Sequence, residues 1–289
     1  MKLPDFRYAC PASLDEALQL LGDAGGSAKP LAGGQSLLPT LAFRLAAPGL
    51  LVDLRKIPGL DRIVVAKNGV QVGASVRWCE IERHEGLRTG HPLLHAAIRH
   101  VAHYQIRNRG TVGGSLAHAD PAAELPGIAV TCEAQIELAS PHGRRSVPAE
   151  KFFTGALSTL LNHDELIVAV RFPPWPALRR WGFEELSRRR GDFAIAGVAV
   201  FFDLDAAGRA ANTHVGVIGA ADRPFRLRAA EAQIDGTSVD AASIARAAAA
   251  AMDALDPQSD LHASGAYRRA LVGTLLERTL AGALAGKGA

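Results

Sequence analysis

Cysteine is scarce in this 289-residue chain, which contains only Cys10, Cys79 and Cys132. The three residues lie far apart, and no C-x-x-C pair is present to hold zinc or an iron–sulfur cluster. The sequence therefore predicts no metal centre in this chain. A small, odd number of cysteines is also typical of a reducing compartment, where disulfides are rare.

Long apolar runs and a dominant charge are missing as well. No stretch approaches the roughly 18 consecutive apolar residues of a membrane helix, and the start of the chain lacks the apolar core of a signal peptide. The net charge is only +3, whereas nucleic-acid readers usually have a concentrated basic stripe. We therefore expect a cytoplasmic protein with neither nucleic acid nor a membrane as partner. Short arginine clusters such as 188–190 are typical of solvated faces, with contact to a phosphate or an acidic subunit as the alternative.

The length exceeds one typical domain, and 48% hydrophobic residues are enough for more than one core. The first predicted unit spans residues 1–56. Ser13 and Glu16 have the spacing of a capping box at the start of a helix that ends near Gly25. The predicted elements that follow are a strand at 30–32, a helix at 37–46 and a strand at 50–54. This alternation predicts a small α/β unit.

The second predicted unit spans residues 57–175. It begins with Asn68-Gly69 between two apolar runs, which is a strong hairpin signal. Its further predicted elements are helices at 78–84 and 92–103, a long loop at 105–126, and strands at 134–139 and 165–172. The segment 173–176 is predicted to be a linker, because consecutive prolines extend neither a helix nor a central strand. We therefore expect a domain boundary after residue 175.

The last predicted unit, 176–289, combines strands with alanine-rich helices. Apolar runs at 196–204 and 212–220 have the pattern of an antiparallel pair, and 239–255 and 266–284 have the composition and periodicity of helices. The chain is thus predicted to be α+β, with a two-subdomain N-terminal region and a C-terminal antiparallel sheet with helices.

Two segments pair adjacent glycines with a hydroxyl residue: Ala32-Gly33-Gly34-Gln35-Ser36 and Thr111-Val112-Gly113-Gly114-Ser115. Glycine lets the backbone approach a ligand closely and adopt positive φ, so that successive N–H groups converge on an anion. A hydroxyl adds a donor, and a following helix N-terminus favours phosphate. Two such loops could hold the two phosphates of a dinucleotide.

Either loop taken alone is also consistent with a simple tight turn, since Gly-Gly is common in turns. Neither loop has the spacing of a P-loop or of the Rossmann G-x-G-x-x-G motif, so both of those binding modes are disfavoured. The case for a nucleotide depends on the two loops together and on the residues around them.

Those surroundings resemble one family. The first loop continues as Leu37-Leu38-Pro39 and is followed by Leu51-Val52-Asp53-Leu54. The second is followed by Ala119-Asp120-Pro121-Ala122-Ala123-Glu124-Leu125-Pro126, and Arg189-Arg190-Gly191-Asp192-Phe193-Ala194 comes after the linker. The combination closely resembles the FAD-binding medium subunit of the xanthine dehydrogenase and carbon monoxide dehydrogenase family of molybdenum hydroxylases. The resemblance covers nearly the whole chain and implies an FAD-binding region related to the PCMH and vanillyl-alcohol-oxidase fold.

The resemblance also implies a set of cofactor-binding residues and no catalytic residue. Both loops would hold the FAD pyrophosphate through backbone amides, with hydroxyls from Ser36 and Thr111. Glu124 would lie near the ribose or ribityl hydroxyls, and Phe193 near the isoalloxazine, although a core residue at a strand start would also suit Phe193. The residues implied to bind FAD are Ala32, Gly33, Gly34, Gln35, Ser36, Thr111, Val112, Gly113, Gly114, Ser115, Glu124 and Phe193.

The sequence departs from the family at two of these positions. Gln35 stands where a histidine is frequent, and Ser115 where an asparagine is frequent. Both replacements keep a hydrogen-bonding side chain, so we expect noncovalent FAD binding to be retained while the fine tuning of the flavin differs.

The function implied by the resemblance is electron transfer. A large partner would carry the molybdenum cofactor, a small partner would carry two [2Fe–2S] clusters, and this chain would pass their electrons through FAD to an external acceptor, in a dimer of heterotrimers. Two alternatives stay open: a free-standing FAD oxidase or dehydrogenase, which would need a polar base near the ring, and a non-catalytic assembly subunit.

Overall fold

The structure, a computed structural model, describes residues 2–286. It combines helices and sheets, as predicted. The strands are β1 (Arg7–Ala9), β2 (Ala28–Leu31), β3 (Leu50–Asp53), β4 (Ile63–Ala66), β5 (Gly69–Gly73), β6 (Gln135–Ser140), β7 (Gly143–Pro148), β8 (Phe153–Gly155), β9 (Ser158–Thr159), β10 (Leu166–Phe172), β11 (Arg180–Ser187), β12 (Ala194–Leu204), β13 (Ala210–Ile218) and β14 (Phe225–Arg226). The α-helices are α1 (Leu14–Asp23), α2 (Leu37–Ala42), α3 (Trp78–Arg83), α4 (Glu85–Gly90), α5 (Pro92–Ile98), α6 (Tyr104–Arg107), α7 (Val112–His118), α8 (Glu124–Thr131), α9 (Ala149–Phe152), α10 (Arg228–Ile234), α11 (Ala241–Asp253) and α12 (Gly265–Leu284).

The N-terminal unit is a three-stranded parallel sheet in the order β1-β3-β2. Its first helix starts as predicted, because the Ser13 hydroxyl accepts from the Glu16 amide. The Glu16 carboxylate accepts from Ala12 instead of Ser13, so the reciprocal half of the capping box is shifted by one residue. Leu31 lies opposite Asp53 in the sheet. The first glycine loop therefore leaves from the carboxyl edge of the parallel strands.

The second sheet has five antiparallel strands in the order β4-β5-β10-β6-β7. The hairpin predicted at Asn68-Gly69 is confirmed, with Gly69 at φ +125°. Strand β10 lies at the centre and is almost entirely buried, as its run of apolar residues requires. Strand β7 was missed by the sequence analysis because its exposed residues, which include Arg144 and Arg145, interrupt the apolar pattern.

The loop predicted at 105–126 is wrong. This region contains α6, all of α7 and the start of α8. Gly113 and Gly114 lie inside α7, whose N-cap is Thr111, with its hydroxyl accepting from the Gly114 amide at 3.2 Å. Adjacent glycines were interpreted as a turn because they disfavour helices, but the tertiary contacts described below outweigh that preference. The helices predicted at 37–46 and 92–103 are also shorter, since they end at Ala42 and Ile98.

The C-terminal sheet is antiparallel in the order β11-β12-β13-β14. The predicted pair corresponds to β12 and β13, whereas β11 and β14 were not predicted. Helices α10, α11 and α12 form a separate core with the sheet, and α8 packs against β12 and β13. The sheet is therefore covered by its own helices and by a helix of the preceding region.

Polar and aromatic contacts join α8 to the C-terminal sheet. The imidazole of His214 bonds to the Thr131 carbonyl at 2.7 Å and stacks on Phe201. The buried Arg226 guanidinium pairs with Glu231 and also reaches Glu133. These contacts fix the position of α8, whose first residue is Glu124.

Within residues 2–286 no helix is long and apolar enough to cross a membrane. Over the same residues no group of three or more His, Cys, Asp or Glu side chains is arranged to hold a metal ion.

Candidate cofactor site

The first glycine loop, Ala32–Ser36, connects β2 to α2. Gly34 adopts φ +71°, a conformation that L side chains rarely take. The Gln35 side chain donates to the Gly33 carbonyl at 2.9 Å, which fixes the turn. In the described part of the chain, the amides of Gly33, Gly34, Gln35 and Ser36 have no oxygen acceptor. Four consecutive free N–H groups before a helix are suited to an anion.

The two glycine loops are in contact. A Cβ at Gly33 would lie 2.1 Å from the Arg109 carbonyl oxygen and 2.9 Å from the Gly110 Cα. A Cβ at Gly114 would lie 3.8 Å from the Cβ of Ala32. Segments that are about eighty residues apart in sequence therefore form one surface, as the proposal of a shared ligand requires.

The second loop contributes differently from the first. The amides of Val112 and Gly113 donate to the carbonyls of Val76 and Ala74, at 3.0 and 2.7 Å, and the Gly114 amide donates to the Thr111 hydroxyl. Both Val112 and Gly113 are buried, whereas Gly114 and Ser115 are partly exposed. The expectation that backbone amides of both loops are free for a phosphate is therefore corrected. The first loop offers amides, and the second offers the hydroxyls of Thr111 and Ser115.

Glu124 is the first residue of α8, and only 4% of it is exposed. Burial raises the pKa of its carboxyl to about 8, with a smaller contribution from the negative charge of Glu185 and another from Asp120. The sequence analysis places Glu124 near the sugar hydroxyls, from which an ionised carboxylate could only accept. Its surroundings instead favour the protonated form near neutral pH.

Phe193 immediately precedes β12 and is 62% exposed, so the alternative of a core residue at a strand start is wrong. It ends the arginine-containing loop 188–193. Gly191 of that loop, at φ +89°, packs against His103 and the Ala102 carbonyl. The segment 102–110 therefore borders the Phe193 loop at one end and Gly33 at the other.

The structure thus brings together the first loop, the N-terminus of α7 and, through segment 102–110, the Phe193 loop. One part of this surface was missed by the sequence analysis, the Arg109-Gly110 backbone, which has no side-chain signature. The analysis also missed Glu185 of β11, whose side chain is 5% exposed and whose charge acts on Glu124. Had β11 been predicted, the alternation of side chains along the strand would have placed Glu185 on the same face as the buried Phe183.

Family models match both parts of the chain. Residues 4–175 match the FAD binding domain in molybdopterin dehydrogenase, and residues 181–283 match the CO dehydrogenase flavoprotein C-terminal domain. The chain is 40% identical over 284 residues to the 6-hydroxypseudooxynicotine dehydrogenase complex subunit alpha of Paenarthrobacter nicotinovorans, covering 98% of this chain and 96% of the relative. It is 35% identical over 277 residues to the carbon monoxide dehydrogenase medium chain of Hydrogenophaga pseudoflava, covering 96% of each.

Solved structures agree with the sequence matches. Carbon monoxide dehydrogenase from Hydrogenophaga pseudoflava superposes with a TM-score of 0.95 at 37% identity, covering 99% of both chains. Quinoline 2-oxidoreductase from Pseudomonas putida 86 superposes with a TM-score of 0.94 at 38% identity, again covering 99% of both chains. The family resemblance inferred from the glycine loops and their surroundings is thereby confirmed. The chain belongs to the molybdopterin dehydrogenase flavoproteins, as an FAD-binding, medium-type subunit of oxidoreductase complexes.

Proposed function

We propose that this chain binds FAD noncovalently at the joined glycine loops and serves as an electron-transfer subunit of a molybdenum hydroxylase. The observation that carries the proposal is the run of four amides at Gly33–Ser36 that have no acceptor within residues 2–286, held against the backbone of Arg109 and Gly110. Such a run concentrates positive potential at one point of the surface. A pyrophosphate is the part of FAD that needs it.

The remaining residues of the site suit the other parts of the cofactor. The hydroxyls of Ser36, Thr111 and Ser115 can donate to phosphate oxygens. Glu124 lies beyond the second loop, where it would meet the ribose or ribityl chain. The exposed ring of Phe193 would cover the isoalloxazine and shield it from water. Bound FAD supplies the ability to exchange one or two electrons, while the protein positions it.

Ala32, Gln35, Val112 and Gly113 are also among the proposed FAD-binding residues, but their contribution is mainly to shape. Gln35 braces the first loop by its bond to the Gly33 carbonyl. Val112 and Gly113 anchor the second loop to carbonyls near β5. We therefore expect substitutions at these four positions to act through the geometry of the loops.

The proposed partners are a large subunit with the molybdenum cofactor and a small subunit with two [2Fe–2S] clusters, in a dimer of heterotrimers. Electrons would reach FAD from the small subunit and leave to an external acceptor. One relative is a dehydrogenase complex subunit and another is a carbon monoxide dehydrogenase medium chain, which supports a multisubunit assembly. We also propose a division into an FAD-binding domain (1–175, with subdomains 1–56 and 57–175) and a C-terminal domain (176–289). The cytoplasmic location remains a prediction from the sequence.

The test is the visible spectrum of the purified chain, with heat release and mass identification of any chromophore. Chain that is purified without cofactor is titrated with FAD, FMN and ADP in parallel. We expect one FAD per chain, weaker binding of ADP, which keeps the pyrophosphate, and the weakest binding of FMN, which lacks it. A folded chain that takes up no FAD would contradict the proposal and favour an assembly role.

The electron-transfer role needs a separate measurement. The chain is co-expressed with the products of the coding sequences that adjoin its own, and the complex is isolated. Substrate-dependent bleaching of the flavin absorbance in that complex, and none in the chain alone, is the expected result. Substrate oxidation by the chain alone would indicate the free-standing oxidase or dehydrogenase.

A further inference from the structure

The arginine-containing loop beside the proposed cofactor site contacts two other segments of the chain. Gly191 of this loop packs against the His103 ring. At the start of the loop, a guanidinium nitrogen of Arg188 lies 3.3 Å from Nδ1 of His262. The loop therefore joins two distant segments into one surface. We call this surface the arginine face, and it consists of residues 103–104, 188–193 and 261–262.

The arginine face carries unbalanced positive charge. Its arginines 188–190 are all exposed, and over residues 2–286 none of them forms an ion pair with a carboxylate. Asp192 is the one acidic residue among the positions of the face. Asp260, which adjoins the face in sequence, already pairs with Arg268 at 2.6 Å. The face therefore offers free guanidinium groups to an anionic partner.

The backbone that presents these arginines is fixed. The Arg189 carbonyl accepts from the Ser187 hydroxyl at 2.8 Å and from the Asp192 amide at 3.0 Å. Gly191 adopts φ +89°, and a Cβ at this position would collide with the His103 ring. Conformation and space both require glycine there. Because the turn is already ordered, a partner that binds it loses little conformational entropy of the loop.

Large apolar side chains are exposed in the same face. Leu261 is 99% exposed, Phe193 62% and Tyr104 60%. The face contains neither lysine nor glutamate. Arginine and aromatic residues are enriched where proteins bind one another, whereas lysine and glutamate are depleted there. The composition of the arginine face is thus typical of a protein-binding surface and not of a purely solvated one.

We propose that the arginine face is the docking site for an acidic one-electron carrier protein, which takes electrons from the cofactor at this surface. Phe193 belongs to the face and is also the residue expected to lie against the isoalloxazine. Oxidation of the reduced cofactor releases two electrons and two protons. Two oxidised carriers therefore dock in turn and leave with one electron each, while the protons pass to solvent. This redox step rests on the proposed function, whereas the docking of an acidic protein is a property of the face itself.

The size and charge of the face favour a transient carrier over a permanent subunit. Permanent interfaces are large and more hydrophobic, whereas redox encounters bury little area. Complementary charge speeds such encounters, because the electrostatic field steers the partner and raises the association rate by about 10- to 1000-fold. A carrier must also leave after each electron, and exposed ion pairs are weak enough to permit this.

The first experiment measures binding and needs no cofactor. Its probe is cytochrome c with succinylated lysines, which has an acidic surface, and unmodified cytochrome c, which is basic, carries the same haem. We expect the FAD-free chain to bind the succinylated probe and not the unmodified protein. Affinity should fall at least about tenfold between about 0.01 M and about 0.15 M salt, as the screening length shortens from about 30 to about 8 Å. Absence of binding to the succinylated probe at low salt would overturn the proposal.

Two triple variants assign the binding to the face. One removes its charges: Arg188→Gln, Arg189→Gln and Arg190→Gln. The matched control removes three exposed charges elsewhere on the chain: Arg62→Gln, Arg144→Gln and Arg246→Gln. We expect the first variant to lose at least about tenfold in affinity at low salt and the control to stay close to wild type. Equal losses in both would show that only the net charge matters, and the docking site would be refuted.

Charge reversal separates a lost contact from a folding defect. A chain with Arg188→Glu, Arg189→Glu and Arg190→Glu should bind unmodified cytochrome c and reject the succinylated form, a gain that misfolding cannot produce. A reversed chain that keeps the wild-type urea midpoint but binds neither form would contradict the proposal. So would displacement of the succinylated probe by phosphate but not by chloride of equal ionic strength, which indicates a phosphate site. Tighter binding of duplex DNA than of the probe would assign the face to nucleic acid instead.

The second experiment measures electron transfer from the FAD-loaded chain. The flavin is reduced by light without oxygen, and haem reduction is followed in a stopped-flow instrument. We expect succinylated cytochrome c to be reduced faster than the unmodified protein at low salt, and this difference should vanish at high salt. Equal rates at low salt in a chain that holds FAD would refute the carrier role and leave the proposed function intact. If the chain takes up no FAD, the proposed function fails, and the binding experiment still decides whether the face docks an acidic protein.

Discussion

Gly33→Ala is the sharpest test of the joined loops. The added Cβ would lie 2.1 Å from the Arg109 carbonyl oxygen and 2.8 Å from its carbon, both backbone atoms that cannot rotate away. Real Cβ contacts are essentially never under 3.0 Å, so the loops must part by about 1 Å. Overpacking of this kind typically costs about 1–3 kcal/mol. Since about 1.4 kcal/mol corresponds to a tenfold change in affinity, we expect FAD binding to weaken by about 5- to 150-fold.

Two further glycines calibrate this result. Gly114→Ala meets the Thr111 hydroxyl at 2.9 Å, a side-chain atom that can rotate, and alanine favours the helix. Gly155→Ala meets nothing within 4 Å. The expected order of FAD affinities is therefore Gly155→Ala equal to wild type, Gly114→Ala slightly weaker, and Gly33→Ala weakest. Titration of FAD-free chain, followed by flavin fluorescence, measures all three.

The result that would refute the reasoning is a Gly33→Ala chain with wild-type FAD affinity and wild-type urea midpoint. Such a chain would show that the two loops can separate without loss of the site. A lower urea midpoint with unchanged FAD affinity would mean that the loop contact supports folding but does not shape the cofactor site.

Three other predictions concern stability and reactivity. Arg226→Met should lower the free energy of unfolding by about 3–5 kcal/mol, because it leaves the buried carboxylate of Glu231 without its partner; urea denaturation measures this. Burial lowers the pKa of His91 to about 3, below its ordinary value of 6.5. Between these two pH values the unfolded chain binds more protons than the folded chain. The free energy of unfolding should therefore decrease as the pH drops from 6.5 to about 3. His91→Asn, whose side chain can still cap α5, should flatten the dependence. A thiol reagent should modify Cys10 in the native chain and Cys132 only after unfolding, because burial raises the pKa of the Cys132 thiol and blocks access.

Exposed counterparts serve as controls for these predictions. Arg209→Met removes an exposed pair with Asp205 and should cost at most about 1 kcal/mol. His142→Asn, at a largely exposed histidine, should keep the wild-type pH dependence. Equal costs for the two arginine variants, a pH slope that survives His91→Asn, or native labelling of Cys132 would each contradict the corresponding argument.

The sequence by itself determined the features that depend on short-range chemistry. Asn68-Gly69 specifies its hairpin because few other residues tolerate the backbone of that turn. Ser13 starts α1 because its hydroxyl satisfies an amide three residues away. The two glycine loops and their surroundings were sufficient to indicate the family, since their residue types and order are required by the ligand as well as by the fold.

Tertiary structure decided the features that depend on distant contacts. Gly113 and Gly114 are helical because α7 packs on Ala74, which no local preference predicts. The amides of Val112 and Gly113 in the second loop donate to carbonyls just after β5. The two loops therefore have different roles, although their sequences are similar. The burial of Glu124 could not be predicted either, because it arises only when α8 packs against β12 and β13. The sequence thus fixes which groups are available, and the packed chain fixes which of them are free, charged and close to one another.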